Sequence, residues 1–120
     1  MEDMNLRNYA YIGDAVWELF IRQKTTKITE NSKKLHKITT DKVKAEFQAE
    51  LLHFLDEFLT ENEHEIARRA RNLPIPIARR QIQTEYRLAT AFEALVGCWF
   101  LSDKDRLNEI FKLVEAKIIF

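Results

Sequence analysis

The stretch Leu88-Ala89-Thr90-Ala91-Phe92-Glu93-Ala94-Leu95-Val96-Gly97-Cys98-Trp99-Phe100-Leu101 carries one charge, Glu93. A helix without a polar face belongs in the middle of a domain, with other helices around it. A second run, from Tyr9 to Ile21, is nearly as apolar and holds Asp14. Elsewhere apolar residues recur at spacings of three and four, so the whole chain reads as all-α. The pattern predicts helices over residues 6–23, 31–37, 40–59, 60–72 and 85–101, and a last one opened by Ser102-Asp103-Lys104-Asp105. The 40–59 helix carries the stripe Val43, Phe47, Leu51, Phe54 and Phe58. Thr60-Glu61-Asn62-Glu63 fits a capping box. Pro74 and Pro76 place residues 73–84 in an extended loop.

The chain has 120 residues, 46% hydrophobic and 32% charged, with two glycines and two prolines. That length suits a single domain spanning 1–120 with its own core. So few turn residues exclude a β-sandwich or barrel. Eight Phe, two Trp and three Tyr exclude a disordered chain. One cysteine makes no disulfide framework. No apolar run reaches the roughly 18 residues of a membrane span. The acidic start Met1-Glu2-Asp3-Met4 lacks signal-peptide character, so a soluble protein in a reducing compartment is expected.

The formal net charge of zero hides a strong polarity. Residues 21–44 carry eight bases against two acids, and residues 66–87 carry six arginines against Glu85 alone. Between them, residues 45–65 hold seven acids and no base. Clustered Lys and Arg are the electrostatic footprint of a nucleic-acid partner. A helix-turn-helix DNA binder would need a basic recognition helix after a short turn, whereas Arg68–Arg71 ends a helix.

Asp14 and Glu93 are carboxylates inside helices that should otherwise be core, and acids are almost never buried unpaired. A divalent cation with ordered waters would compensate both. Both glycines, Gly13 and Gly97, lie in the same two helices. Each costs about 1 kcal/mol relative to alanine there, which suggests a close approach of the helices or of a ligand. A rival metal pattern, Glu50-Leu51-Leu52-His53 with Glu61-Asn62-Glu63-His64, repeats Glu-x-x-His. Its halves straddle the break at Leu59–Thr60, and Glu61 and Glu63 are accounted for as first-turn acids. Cys98 reads as a small core residue. No glycine-rich phosphate loop or serine elbow is present.

Taken together, these segments resemble a known family. Tyr11-Ile12-Gly13-Asp14-Ala15-Val16-Trp17-Glu18 resembles the signature of ribonuclease III, and Ala91-Phe92-Glu93-Ala94-Leu95-Val96-Gly97 resembles its second motif. Lys34-Leu35-His36-Lys37 and Arg68-Arg69-Ala70-Arg71-Asn72 match two weaker elements in order, with Ala70 for a glycine. The match covers almost the whole chain and leaves no room for a double-stranded-RNA-binding domain. That short form, with Glu85-Tyr86-Arg87 leading into the second motif, is similar to the Mini-ribonuclease III type.

The resemblance implies an all-α helical bundle like the ribonuclease III endonuclease domain. It implies a Mg²⁺-dependent endoribonuclease, with Mn²⁺ as a substitute, that hydrolyses double-stranded RNA. Asp14 and Glu93 would be the catalytic and metal-holding residues, with Glu18 and Thr90 as outer supports. Arg68, Arg69, Arg71, Asn72, Arg79, Arg80, Lys34, Lys37 and Arg87 would meet RNA. A homodimer, a precursor of large-subunit (23S) ribosomal RNA as substrate, and a bacterial cytoplasm or plastid stroma follow from the same resemblance. The chain departs from the family at Ala10 and Thr90, where full-length enzymes carry two further acids. The alternative is therefore a catalytically weak or inactive RNA-binding or ribosome-associated member of the fold.

Overall fold

In a computed structural model, residues 5–75 and 83–120 are described. Six α-helices are found among them: α1 (Leu6–Thr25), α2 (Ser32–Val43), α3 (Ala45–Leu55), α4 (Glu61–Arg71), α5 (Gln83–Ser102) and α6 (Lys104–Glu115). A short 3-10 turn, Asp56–Phe58, follows α3. Helix α5 is the axis of the domain, as its apolar character requires. Phe92, Ala94, Leu95 and Val96 are wholly buried, and α1, α3, α4 and α6 pack around it.

The α1–α5 contact is the most extensive, and the two glycines explain its closeness. A methyl group on Gly13 would lie 1.8 Å from the backbone oxygen of Glu93; one on Gly97 would lie 1.9 Å from that of Tyr9. Both positions therefore need glycine because two helix backbones touch there. The buried face of α1 runs Tyr9, Gly13, Trp17 and Ile21 toward this contact.

The caps read at Thr60 and at Ser102–Asp105 are present, and Asn31 adds a third. Asn31 accepts from the Lys34 amide, and Asp103 accepts from the Arg106 amide. Thr60 and Glu63 complete the capping box reciprocally, at 3.1 and 2.9 Å.

Two expectations need correction. The single helix over 40–59 is instead two, broken at Lys44, whose backbone is extended (φ −73°, ψ 157°). The indole N–H of Trp17 donates to the Lys42 carbonyl at 2.8 Å and takes the acceptor that a continuous helix would use. The break lets α2 lie on α1 while α3 lies on α5. The 3-10 turn after Leu55, not the predicted continuous helix, carries Phe58, which is 38% exposed. The polar stretch after residue 23 is not all connection either. Thr25 ends α1 fully buried, its hydroxyl paired with that of Thr39 at 2.9 Å.

Glu63 does more than cap α4. It is buried, and its carboxylate accepts from Trp99 Nε1 of α5 at 2.9 Å and from Arg106 of α6 at 2.7 and 2.9 Å. Arg106 also donates to the Phe58 carbonyl at 2.8 Å. One side chain thus joins three helices. Burial alone would raise its pKa. The hydrogen bonds from Arg106, the Thr60 amide and Trp99, with the Arg106 charge, hold it below the usual carboxylate value. This contribution to stability is present above that value and is lost as pH falls through the folded one. Glu63→Ala should destabilise by about 2–3 kcal/mol, since it takes the carboxylate partner from the partly buried Arg106 guanidinium and from the Trp99 N–H. Urea unfolding at neutral pH measures the loss, and the gap between variant and wild type should shrink in acid.

Candidate active site

A cleft of about 580 Å³ opens where α1, the α2–α3 junction and α5 meet. Asp14 comes from α1; Val43, Lys44, Ala45, Glu46 and Gln48 come from the junction. Helix α5 supplies Glu85, Tyr86, Ala89, Thr90 and Glu93, which recur at helical spacing along one face. Asp14 and Glu93 therefore share one cleft although 79 positions separate them in sequence. The Gly13–Gly97 crossing brings them together, since each acid lies beside it.

Asp14 is not a core residue as expected; it is exposed at the cleft edge. The helical turn explains this: with Gly13 and Trp17 against α5, Asp14 falls at the margin of the contact. Glu93 lies deeper. Burial, the negative charge of Asp14 and a hydrogen bond with Asp14 push its carboxyl up to about 8, while the bond from Gln48 pulls the other way. Gln48 Nε2 donates to Glu93 Oε2 at 3.2 Å.

Without a cation, the folded protein keeps a proton on Glu93 that the unfolded chain gives up near 4.5. Stability of the cation-free protein should therefore fall as pH rises from about 4.5 to about 8, then level off. Thermal melts in EDTA across that range check the slope, and Glu93→Gln should flatten it.

The donor set suits a hard cation. Four carboxylates (Asp14, Glu46, Glu85 and Glu93) face the cleft against one ammonium, Lys44. Among the described residues no group of three or more His, Cys, Asp or Glu is placed to hold a metal ion. A cation here would take two carboxylates and complete its shell with water and substrate oxygens. Mg²⁺ commonly binds in that way.

The other singled-out residues are distributed as follows. Thr90 lines the cleft, with its hydroxyl donating to the Tyr86 carbonyl at 2.9 Å. Glu18 forms an ion pair with Arg22. Ala10 is buried. Lys34 and Lys37 are exposed on α2. Arg68, Arg69, Arg71 and Asn72 are exposed at the end of α4, where Arg68 pairs with Glu65 at 2.6 Å. Arg87 reaches from α5 to the Arg71 carbonyl at 2.6 Å and so caps the C-terminus of α4. Arg79 and Arg80 lie outside the described residues, as does most of the 73–84 loop. The rival Glu-x-x-His pattern is dispersed: Glu50, His53, Glu61 and His64 are exposed, and Glu63 is engaged by Arg106 and Trp99. Cys98 is buried, with its thiol raised to about 11 by that burial.

Sequence reasoning missed Lys44, Glu46, Gln48 and Glu85 as cleft residues. Glu85 looks like an ordinary first-turn acid, and Glu46 like one more acid of the 45–65 block. Gln48 alone left a trace, as an amide between Phe47 and Ala49 on an apolar helix.

A helical domain with two helix-borne carboxylates at one cleft matches a known nuclease domain. The Ribonuclease III domain model matches residues 7–104, and the chain belongs to that family. It is 42% identical over 115 residues to the Mini-ribonuclease 3 of Gloeobacter violaceus, covering 96% of this chain and 85% of that protein. The Mini-ribonuclease 3 of Clostridium tetani is 39% identical over 120 residues, covering 95% and 78%. A crystal structure of a Fusobacterium nucleatum protein superposes with a TM-score of 0.85 at 31% identity, over 95% of both chains. These relatives place the chain in the Mini-ribonuclease 3 branch of the ribonuclease III family. The fold class and the family resemblance read from the sequence are thereby borne out.

Proposed function

We propose that this chain is a Mg²⁺-dependent endoribonuclease that hydrolyses phosphodiesters in double-stranded RNA. The observation that carries the reading is the convergence of Asp14 and Glu93 on one cleft, backed by Gln48. The two carboxylates hold the cation. Bound there, it would supply Lewis-acid polarisation of the scissile phosphate and a lowered pKa for the attacking water. Mn²⁺ substitutes, since it too favours oxygen ligands.

Arg69 and Arg71, exposed at the end of α4, meet phosphates, with Asn72 beside them. Lys34 and Lys37 extend the contact along α2. Arg68 exchanges its surface partner Glu65 for phosphate at little cost. A-form RNA presents phosphates and 2′-hydroxyls rather than a readable deep groove, so the contacts follow shape more than sequence.

The active unit is a homodimer, each subunit cutting one strand. Supporting this, α1 leaves Tyr11 at 80% and Leu19 at 59% exposure, with exposed Ala15 between them on one stripe. A stripe paired with its own copy is the usual basis of a two-fold interface. The family resemblance points to precursor large-subunit ribosomal RNA as the substrate. It also points to the bacterial cytoplasm as the setting, and no described helix is long and apolar enough to cross a membrane.

The test compares a perfect RNA duplex with a DNA duplex of the same sequence, each in Mg²⁺ or EDTA. Cleavage of RNA alone, and only with Mg²⁺, is expected. RNA bound with no cleavage would overturn the enzyme reading in favour of a binding role. That outcome would match the two acids missing at Ala10 and Thr90.

A further inference from the structure

Gln48 is 1% exposed on a helix whose other buried side chains are Phe47, Ala49, Leu51, Leu52 and Leu55. Burying an amide costs free energy unless it is hydrogen-bonded, and a methionine of similar shape would fill the space without that cost. Packing alone therefore does not account for a glutamine here. Its Nε2 reaches from α3 to Glu93 Oε2 on α5, at 3.2 Å. A side-chain NH₂ only donates, so the Glu93 oxygen it meets must accept whether or not the other oxygen carries a proton, and the bond fixes that oxygen in a single role. Burial leaves the amide little freedom to swing away.

We infer that Gln48 is a positioning residue that holds the Glu93 carboxyl group in its cation-binding orientation before any cation arrives. This rests on the proposed cation-holding pair of Asp14 and Glu93. Outer-shell partners that orient ligands in this way typically change metal affinity by about 10- to 100-fold when removed. Gln48 touches neither substrate nor cation; it acts through Glu93.

The test titrates the protein with Mn²⁺ and follows free Mn²⁺ by electron paramagnetic resonance, so that no turnover is needed. Wild type, Glu93→Gln, Gln48→Met and Gln48→Leu are compared, with thermal melts to show that each is folded. The two Gln48 variants should bind Mn²⁺ about 10- to 100-fold more weakly than wild type. On duplex RNA, kcat should fall in both variants while KM stays unchanged. Binding by wild type that is abolished in Glu93→Gln establishes the cation-holding pair. Given that, wild-type Mn²⁺ affinity in a folded Gln48 variant overturns the positioning role alone. A wild type that binds no Mn²⁺ overturns the pair and the role together.

Discussion

Gly13→Ala should lower the melting temperature by about 10 °C or more, through overpacking of roughly 2–3 kcal/mol. The new methyl group would sit 1.8 Å from the Glu93 carbonyl oxygen and 3.0 Å from the Gly97 nitrogen. Backbone atoms of a central helix cannot rotate aside as a side-chain tip can, so α1 and α5 must separate. In an ordinary helix interior the same substitution gains about 1 kcal/mol, so the sign of the effect is diagnostic. Glu50→Gly, at an exposed interior position of α3, is the control and should lose only about that much. Because the displaced carbonyl belongs to Glu93 itself, Gly13→Ala should also disturb the cleft. Cleavage should then fall even at temperatures where the variant is folded. Calorimetry of the two variants checks the first point, and a wild-type melting temperature for Gly13→Ala would contradict the close crossing.

Asp14→Asn and Glu93→Gln should each reduce cleavage of duplex RNA by about 10³-fold or more. Each removes one of two charged donors from a site whose catalysis depends on electrostatic stabilisation. Both changes preserve shape, so affinity for the duplex at low salt should hold or rise as a negative charge leaves the site. Glu93→Gln should move stability the other way. Burial and the Asp14 charge oppose ionisation of Glu93, so a neutral amide there should raise the melting temperature in EDTA at about pH 8. Gain of stability with loss of activity is the signature of a group retained for function. Single-turnover cleavage, filter binding and thermal melts on the same preparations check all three.

Much of this was legible in the chain because the relevant forces are local. The Thr60 capping box and the Asp103 cap are set by side chains within three residues of the amides they satisfy. The all-round apolar character of α5 required a central position whatever its neighbours were. The two glycines inside helices announced a close approach, and the backbone contacts of Gly13 and Gly97 supplied it. Tertiary forces hid the rest. The break at Lys44 depends on Trp17, 25 residues from the carbonyl it captures, and the apolar stripe runs through it unaltered. Asp14 lies within an apolar run, yet sits at the margin of the helix contact. Its exposure follows from which face of α1 meets α5. Glu63 looked like a first-turn acid, and only the fold brings Trp99 and Arg106 to it. Glu46, Gln48 and Glu85 became cleft residues through the same assembly, with no local signal for two of the three.

The charge distribution gains meaning from this arrangement. The acidic block over 45–65 contributes Glu46 to the cleft and Glu63 to the core, whereas the arginines at the end of α4 stay at the surface. Under the proposed function, acid and base are thus divided between the cleft that would hold the cation and the surface that would face RNA phosphates. With no net positive field, RNA affinity should depend steeply on salt, and two subunits should hold a duplex that one holds weakly.

The most direct test of the account is a crystal structure of the protein with Mn²⁺, read by its anomalous signal. A peak within about 2.0–2.3 Å of a carboxylate oxygen from both Asp14 and Glu93 is the predicted result. An ordered Mn²⁺ elsewhere in the molecule, or none at saturating concentration, would contradict the claim that these two residues form the catalytic centre.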